Sequence, residues 1–336
     1  MITTVAELEE VLTCPTDADR EALAALDGDL LILGVGGKMG PTLALRARRA
    51  APAGTRIIAV ARFSEHGLRE QLEAGGVECI KADLLDPAQL AALPEVRNVL
   101  CMFGRKFGST GDPTLTWAMN VYLPGLVCER FKHSKIVAFS SGNVYGYSHV
   151  ARGGSVETDE CFPVGEYAWT GLGRERIYDY HSRHNKIPMM LLRLNYAIDL
   201  RYGVLLDIGT KVAERKPVDL SMGAANVIWQ GDANSVALRS FSHCTSPATV
   251  LNLTGPETLS VRRIAEYIGS HLGINPEFTG TESTDALLNN AQRCHRIYGY
   301  PSVTVDQMLE WTAEWIALGG ATLNKPTHFE ARDGKF

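Results

Sequence analysis

From residue 29 onward, short runs of apolar residues alternate with longer stretches that mix apolar and charged positions at helical spacing. DLLILGVGG is an apolar run ending in glycines, followed by PTLALRARRA, which has a helical pattern. TRIIAVARF, VECIKADL, NVLCMFG, KIVAFSSG and MMLLRLN are further short runs. Between them lie EHGLREQLEAGG, PTLTWAMNVYLPGLVCERF and EYAWTGLGRERIYDYHSRHN, each long enough to cross a sheet as a helix. Strands that are apolar throughout bury both faces, so the pattern predicts an α/β fold with a doubly wound parallel sheet.

The regularity loosens after about residue 200. RYGVLLDIGTKVAERK, DANSVALRSFSHC, SVRRIAEYIGSHLG, TDALLNNAQRCHRIYG and VTVDQMLEWTAEWIALGG read as helices, and KPVDLSM, NVIWQ and TVLNLTG as short strands. Residues 1–28 read as one or two short polar helices. The predicted organisation is an N-terminal helical extension over 1–28 and a sheet domain over 29–200, completed by 226–255. A smaller α+β region follows over 201–225 and 256–320, and the polar stretch 321–336 reads as a surface tail.

Composition removes several classes of function. The chain has 336 residues, 45% of them hydrophobic and 21% charged, which is ordinary for a globular protein with ample core. A net charge of −5 without a basic stripe argues against a nucleic-acid partner, while small polar or anionic ligands remain open. The seven cysteines are odd in number and form no CxxC pair, favouring reduced thiols over a disulfide framework or zinc site. His181 and His184 lie three apart on one predicted helix, where a surface position suits them better than metal ligation. MITTVAELEEVL is acidic and amphipathic, unlike a signal peptide, and no apolar run approaches the ~18–20 residues of a membrane span. The expectation is a cytoplasmic protein without a membrane partner.

GVGGKMG places Gly34, Gly37 and Gly40 three apart between the first strand and the first helix. There the first glycine allows a tight turn, the second lets backbone approach a pyrophosphate, and the third lets helix pack on strand. The helix N-terminal amides would face the phosphates, which brings Lys38 and Met39 into the expected site. Glycines are also common in plain turns; the strand-to-helix setting is what favours a dinucleotide. The second strand ends at Ala61 and Arg62 with no acidic residue at its tip, so Arg62, with Lys38, points to NADP over NAD unless Arg62 is simply a solvated surface group.

Taken in order, these segments resemble the extended short-chain dehydrogenase/reductase family, the NAD(P)-dependent sugar epimerases and dehydratases. GVGGKMG resembles its GxxGxxG loop, and KADLLD its third-strand segment, where Asp83 and Leu84 would lie by the adenine. Asn120 and Val121 resemble the "NV" of its fourth helix, and FSSGNVYG is close to its SSxxVYG. LLRLN and TVLNLTGPETLSVRRIAEYI resemble later segments, so the likeness spans roughly 29–318. It implies a Rossmann cofactor domain and a carbohydrate-like substrate, held mainly by the C-terminal half. It also implies a homodimer formed through helices near 113–132 and 164–184.

The same resemblance assigns Ser141 to orient the reacting oxygen and Tyr167 to exchange its proton while hydride passes through nicotinamide. The family's lysine four residues after the tyrosine is replaced here by Gly171, while Glu175, eight after it, keeps the register. A free tyrosine has a pKa of ~10, and a nearby cation lowers such a group by ~1–3 units. Without that cation a tyrosine acting as base would lose on the order of 10²–10³ in rate, and less if it acts as an acid. Arg174, seven residues after Tyr167 on the same face, and Lys38, Arg105 and Lys106 are candidate replacements. The alternative is a weak or inactive NAD(P)-binding protein serving as a redox sensor or partner-binding module.

Overall fold

A computed structural model describes residues 1–106, 108–109 and 111–335. Its centre is a parallel sheet of seven strands: β1 (Leu30–Leu33), β2 (Ile57–Ala61), β3 (Glu78–Lys81), β4 (Asn98–Cys101), β5 (Lys135–Ser141), β6 (Met189–Leu194) and β7 (Thr249–Leu253). Their spatial order is β7-β6-β5-β4-β1-β2-β3. The order reverses between β1 and β4, whose registers pair Leu33 with Cys101. At such a switch point the connecting loops diverge and leave a crevice at the carboxyl ends of the strands.

The continuous apolar runs follow from burial on both faces. Leu30 and Ile32 pack into one core cluster, while Leu31 and Leu33 pack into the cluster on the opposite face. A third core belongs to the C-terminal region and contains Trp229, Trp315, Ile264 and Phe329. Among the described residues no helix is long and apolar enough to cross a membrane.

Residues 1–28 fold as two capped helices, Val5–Thr13 and Asp17–Ala24, each opened by a capping box. The second is clamped to the sheet domain. Asp19 is fully buried, ion-paired with Arg46 at 2.6 Å and bonded by Ser235 Oγ at 2.5 Å, which joins the extension to two helices of the main fold.

Pro113–Arg130 is one helical rod interrupted by a π segment, Ala118–Tyr122. Pro124 has no N–H to offer the Asn120 carbonyl four residues back, and its ring crowds that turn. Arg174 Nε donates to this carbonyl instead, at 3.4 Å.

Two expectations are corrected. TDALLNNAQRCHRIYG is not one helix. Asp285–Ala286 pairs antiparallel with Ser148–His149, and the helix is confined to Gln292–Tyr298. Leu287 and Leu288 are buried without helical periodicity, because this segment lines the cleft between the two halves. Nor is 321–336 simply a surface tail. Thr327, Phe329 and Gly334 are buried, with Phe329 inserted into the core of the C-terminal region.

Candidate active site

The glycine loop shows a division of labour. Gly34 has φ +85°, and a Cβ there would lie 2.6 Å from the Phe103 backbone nitrogen, so only glycine lets β1 turn beneath the end of β4. A Cβ at Gly40 would lie 2.1 Å from the Val35 carbonyl oxygen, so the third glycine serves helix-on-strand packing. At Gly37 a Cβ would meet only the Gly34 carbonyl oxygen at 3.8 Å, leaving this backbone open to an approaching group. Met39 is the N-cap of helix Gly40–Ala50 without a side-chain cap bond, and its side chain packs on the core. This arrangement suits a pyrophosphate over Gly37 and the first helical turn.

Arg62 is exposed immediately past β2. Asp83 lies just past β3, where its carboxylate accepts from Leu85 N at 3.0 Å, while Leu84 is packed in the core. Lys38 departs from the expectation that it assists Arg62. Its Nζ lies over the Tyr202 ring, 2.9 Å from the centroid, and burial followed by the nearby Lys106 charge holds its pKa well below that of ordinary lysine.

Ser141 ends β5 and begins the turn Gly142–Tyr145; its Oγ donates to Asn143 Oδ1 at 2.9 Å and accepts from Asn143 N at 3.2 Å. Tyr167 is half-buried in the first turn of helix Glu166–Asn185. That helix packs against the turn following Ser141, where Gly171 faces Val144. Tyr167 shares the cleft with Tyr196 and Tyr202. Burial raises both their pKa values, and negative charge on Tyr167 would raise them further.

A buried polar network fixes the helix on the sheet. Ser140 Oγ donates to Glu175 Oε1 at 2.5 Å, and Arg193 holds both carboxylate oxygens, at 2.9 and 2.7 Å. Arg193 also donates to Tyr145 Oη at 2.6 Å, and Tyr145 in turn donates to Asn252 on β7 at 2.8 Å. The network therefore spans three neighbouring strands and sets the helix register that carries Tyr167. Arg193 and Asn252 were missed from sequence; the available signal was an arginine inside the otherwise apolar run MMLLRLN.

Two of the candidate cations are held elsewhere. Arg174 is committed to Phe139 O at 3.0 Å and Asn120 Oδ1 at 2.7 Å, which corrects the expectation that it turns toward Tyr167. Arg105 bonds within its own loop, to Gly108 O at 3.2 Å. Lys106 and Lys38 instead enter the cleft from the cofactor side. Lys106 Nζ donates to Thr327 O at 3.2 Å and lies 6.0 Å from the Tyr196 ring centroid; burial pushes its pKa down to about 8, with Asp207 opposing.

A cavity of about 460 Å³ lies between Gly28, Arg97, Arg130 and His133, at the amino ends of the strands. Ligands of such sheets bind at the opposite end, so its size does not make it the site. Among the described residues no cluster of His, Cys, Asp and Glu could hold a metal ion.

Residues 30–198, half of the chain, match the model of the NAD dependent epimerase/dehydratase family. The chain belongs to that family. As a family member it is a nicotinamide-dependent enzyme of the epimerase/dehydratase type, and the silent-protein alternative is not favoured. No curated protein sequence matches the chain. Its fold is similar to that of UDP-glucuronic acid 4-epimerase from Bacillus cereus in complex with UDP-glucuronic acid and NAD, with TM-score 0.71, 18% identity, and coverage of 86% of this chain and 99% of that one. A UDP-galactose 4-epimerase gives TM-score 0.69 at 21% identity, covering 86% of this chain and 98% of that one. UDP-glucose 4-epimerase from Thermotoga maritima, with UDP-glucose, gives TM-score 0.71 at 16% identity, with coverage of 86% and 98%.

Within this family member, Gly34, Gly37 and Gly40 fit a dinucleotide, the first and third by close packing and the second by open backbone. When bound, the nicotinamide would supply a reversible hydride acceptor. The chain's own residues would orient the substrate oxygen and handle its proton.

Proposed function

We propose that this family member oxidises, reduces or epimerises a sugar or sugar-like polyol, with Ser141 orienting the reacting oxygen and Tyr167 exchanging its proton. The carrying observation is the packing of helix Glu166–Asn185 on the turn that follows Ser141, locked by the Ser140–Glu175–Arg193 network. With Gly171 in the lysine position, Lys106 provides positive potential in the cleft instead. A Lys106 pKa of about 8 leaves it charged at neutral pH. The solved relatives bound to UDP-sugars and NAD support a carbohydrate substrate and a nicotinamide cofactor. The exposed Arg62, with no acid at the tip of β2, supports NADP.

Tyr167→Phe is the test. Turnover should fall by about 10²–10⁴ while NADPH affinity, read by fluorescence titration, stays within a factor of a few. Undiminished turnover would remove Tyr167 from the reaction. A homodimer is supported by the exposed aromatics Trp117, Tyr122, Trp169 and Tyr180, all on the two rods Pro113–Arg130 and Glu166–Asn185. Light scattering of Trp169→Glu against the parent chain tests it, since a charge in the centre of such an interface should yield monomer.

A further inference from the structure

Residues 326–335 run through the cleft on the side of the C-terminal region, and their anchors are those of a structural element. Thr327 N and Oγ1 both donate to Asp207 Oδ2, at 2.7 and 2.5 Å, while its carbonyl accepts from Lys106. Phe329 is 2% exposed and packs with the core that contains Trp229 and Trp315. The Arg332 guanidinium holds Asp285 at 2.5 Å, donates to Ser221 O at 3.1 Å and lies 4.4 Å from the Tyr147 ring centroid. Tyr147 Oη donates back to the Arg332 carbonyl at 2.7 Å. At the far end Gly334 lies backbone-to-backbone on Gly165, the N-cap of the helix bearing Tyr167. A Cβ on Gly165 would come within 2.4 Å of Gly334 O.

The consequence is a wall. Beside a space of about 290 Å³ lined by Tyr202, Asp207, Lys211, Pro326 and Glu330, the pocket between Asn143, Tyr147, Tyr196, Leu287, Phe329 and Gly334 is reduced to about 20 Å³. That volume holds roughly one water, whereas a pocket for a drug-sized ligand is ~300–1,000 Å³. A segment fastened by a buried aromatic, a doubly bonded buried threonine and an arginine clamp is part of the folded core, unlike a lid, which is drawn from weakly packed elements.

We infer that residues 326–335 determine specificity by filling the part of the cleft beyond Asn143 and Tyr196, so that the substrate is a small sugar or polyol carrying no nucleotide. This rests on the carbohydrate reading above, but its test does not depend on turnover. UDP-glucose at on the order of 1 mM is titrated calorimetrically into the full chain saturated with NADPH, and hydrogen exchange is followed at Thr327 and Phe329. The expected result is no heat of binding and unchanged protection. Binding of UDP-glucose to the full chain, with or without loss of protection, overturns the inference.

The double variant Phe329→Ala/Arg332→Ala should gain at least about tenfold in UDP-glucose affinity. If it stays folded, retains NADPH binding and still excludes UDP-glucose, the inference also fails. Should the variant not fold, the full-chain titration decides alone. Failure of the carbohydrate reading would appear separately, as absence of hydride transfer with small polyols in a chain that still excludes UDP-glucose.

Discussion

Replacing Arg193 by methionine should be among the most damaging single changes outside the glycine loop. The side chains of Arg193 and Glu175 are 6% and 4% exposed, so the substitution leaves a carboxylate in the interior. Two charge-assisted bonds to Glu175, at 2.9 and 2.7 Å, disappear together with the bond to Tyr145 at 2.6 Å, and only Ser140 still serves the carboxylate. Breaking a buried pair from one side costs about 3–5 kcal/mol, most of it from the stranded charge.

Removing both charges tells the origin of the loss. In Glu175→Met/Arg193→Met the orphans are the Ser140 hydroxyl and one contact of Tyr145, which keeps its bond to Asn252 at 2.8 Å. The double variant should therefore lie only about 1–2 kcal/mol below the parent. Urea unfolding, compared at constant m-value, measures both numbers and hence the coupling. A single-variant loss under about 1 kcal/mol, or additive effects in the double variant, would refute the claim that the pair is an interdependent buried unit.

The three glycines tested by a methyl group should behave differently. Gly171→Ala should stabilise by about 0.5–1 kcal/mol, since its Cβ would rest 3.5 Å from Val144 and the helix gains propensity. Gly40→Ala should destabilise by at least about 1–3 kcal/mol, with its Cβ driven to 2.1 Å from Val35 O. Gly37→Ala should leave thermal unfolding almost unchanged but weaken the nicotinamide dinucleotide at least about tenfold, by titration with NADH and NADPH. For Lys106, whose pKa falls from 10.5 to about 8 on folding, the unfolded chain holds a proton that the folded chain has released between those values. Its contribution to stability therefore rises with pH from about 8 to 10.5 and is flat below, and Lys106→Met should remove that rise in urea titrations. Arg62→Glu should shift the ratio of NADPH to NADH affinity toward NADH, and an unchanged ratio would detach Arg62 from the 2′-phosphate.

The elements that could be read from the chain are those whose physics is local. A strand buried on both faces must be apolar throughout, so β1, β2, β4 and β5 stood out as continuous runs. The spacing of Gly34, Gly37 and Gly40 likewise reflects constraints within one turn. What could not be read depends on partners distant in the chain. Arg193 meets Glu175 across 18 positions and Tyr145 across 48, and nothing local to either distinguishes a buried pair from two solvated charges. TDALLNNAQRCHRIYG has helical composition, yet pairing with Ser148–His149 and the demands of the cleft override it. Residues 321–336 are polar enough to read as surface. Thr327 and Phe329 become interior because Asp207, 120 positions before Thr327, and the core around Trp229 supply a bond and a cavity that exist only once both halves have folded. Local pattern therefore specified the sheet and the chemical groups it presents, while long-range packing set how much room those groups leave for a substrate.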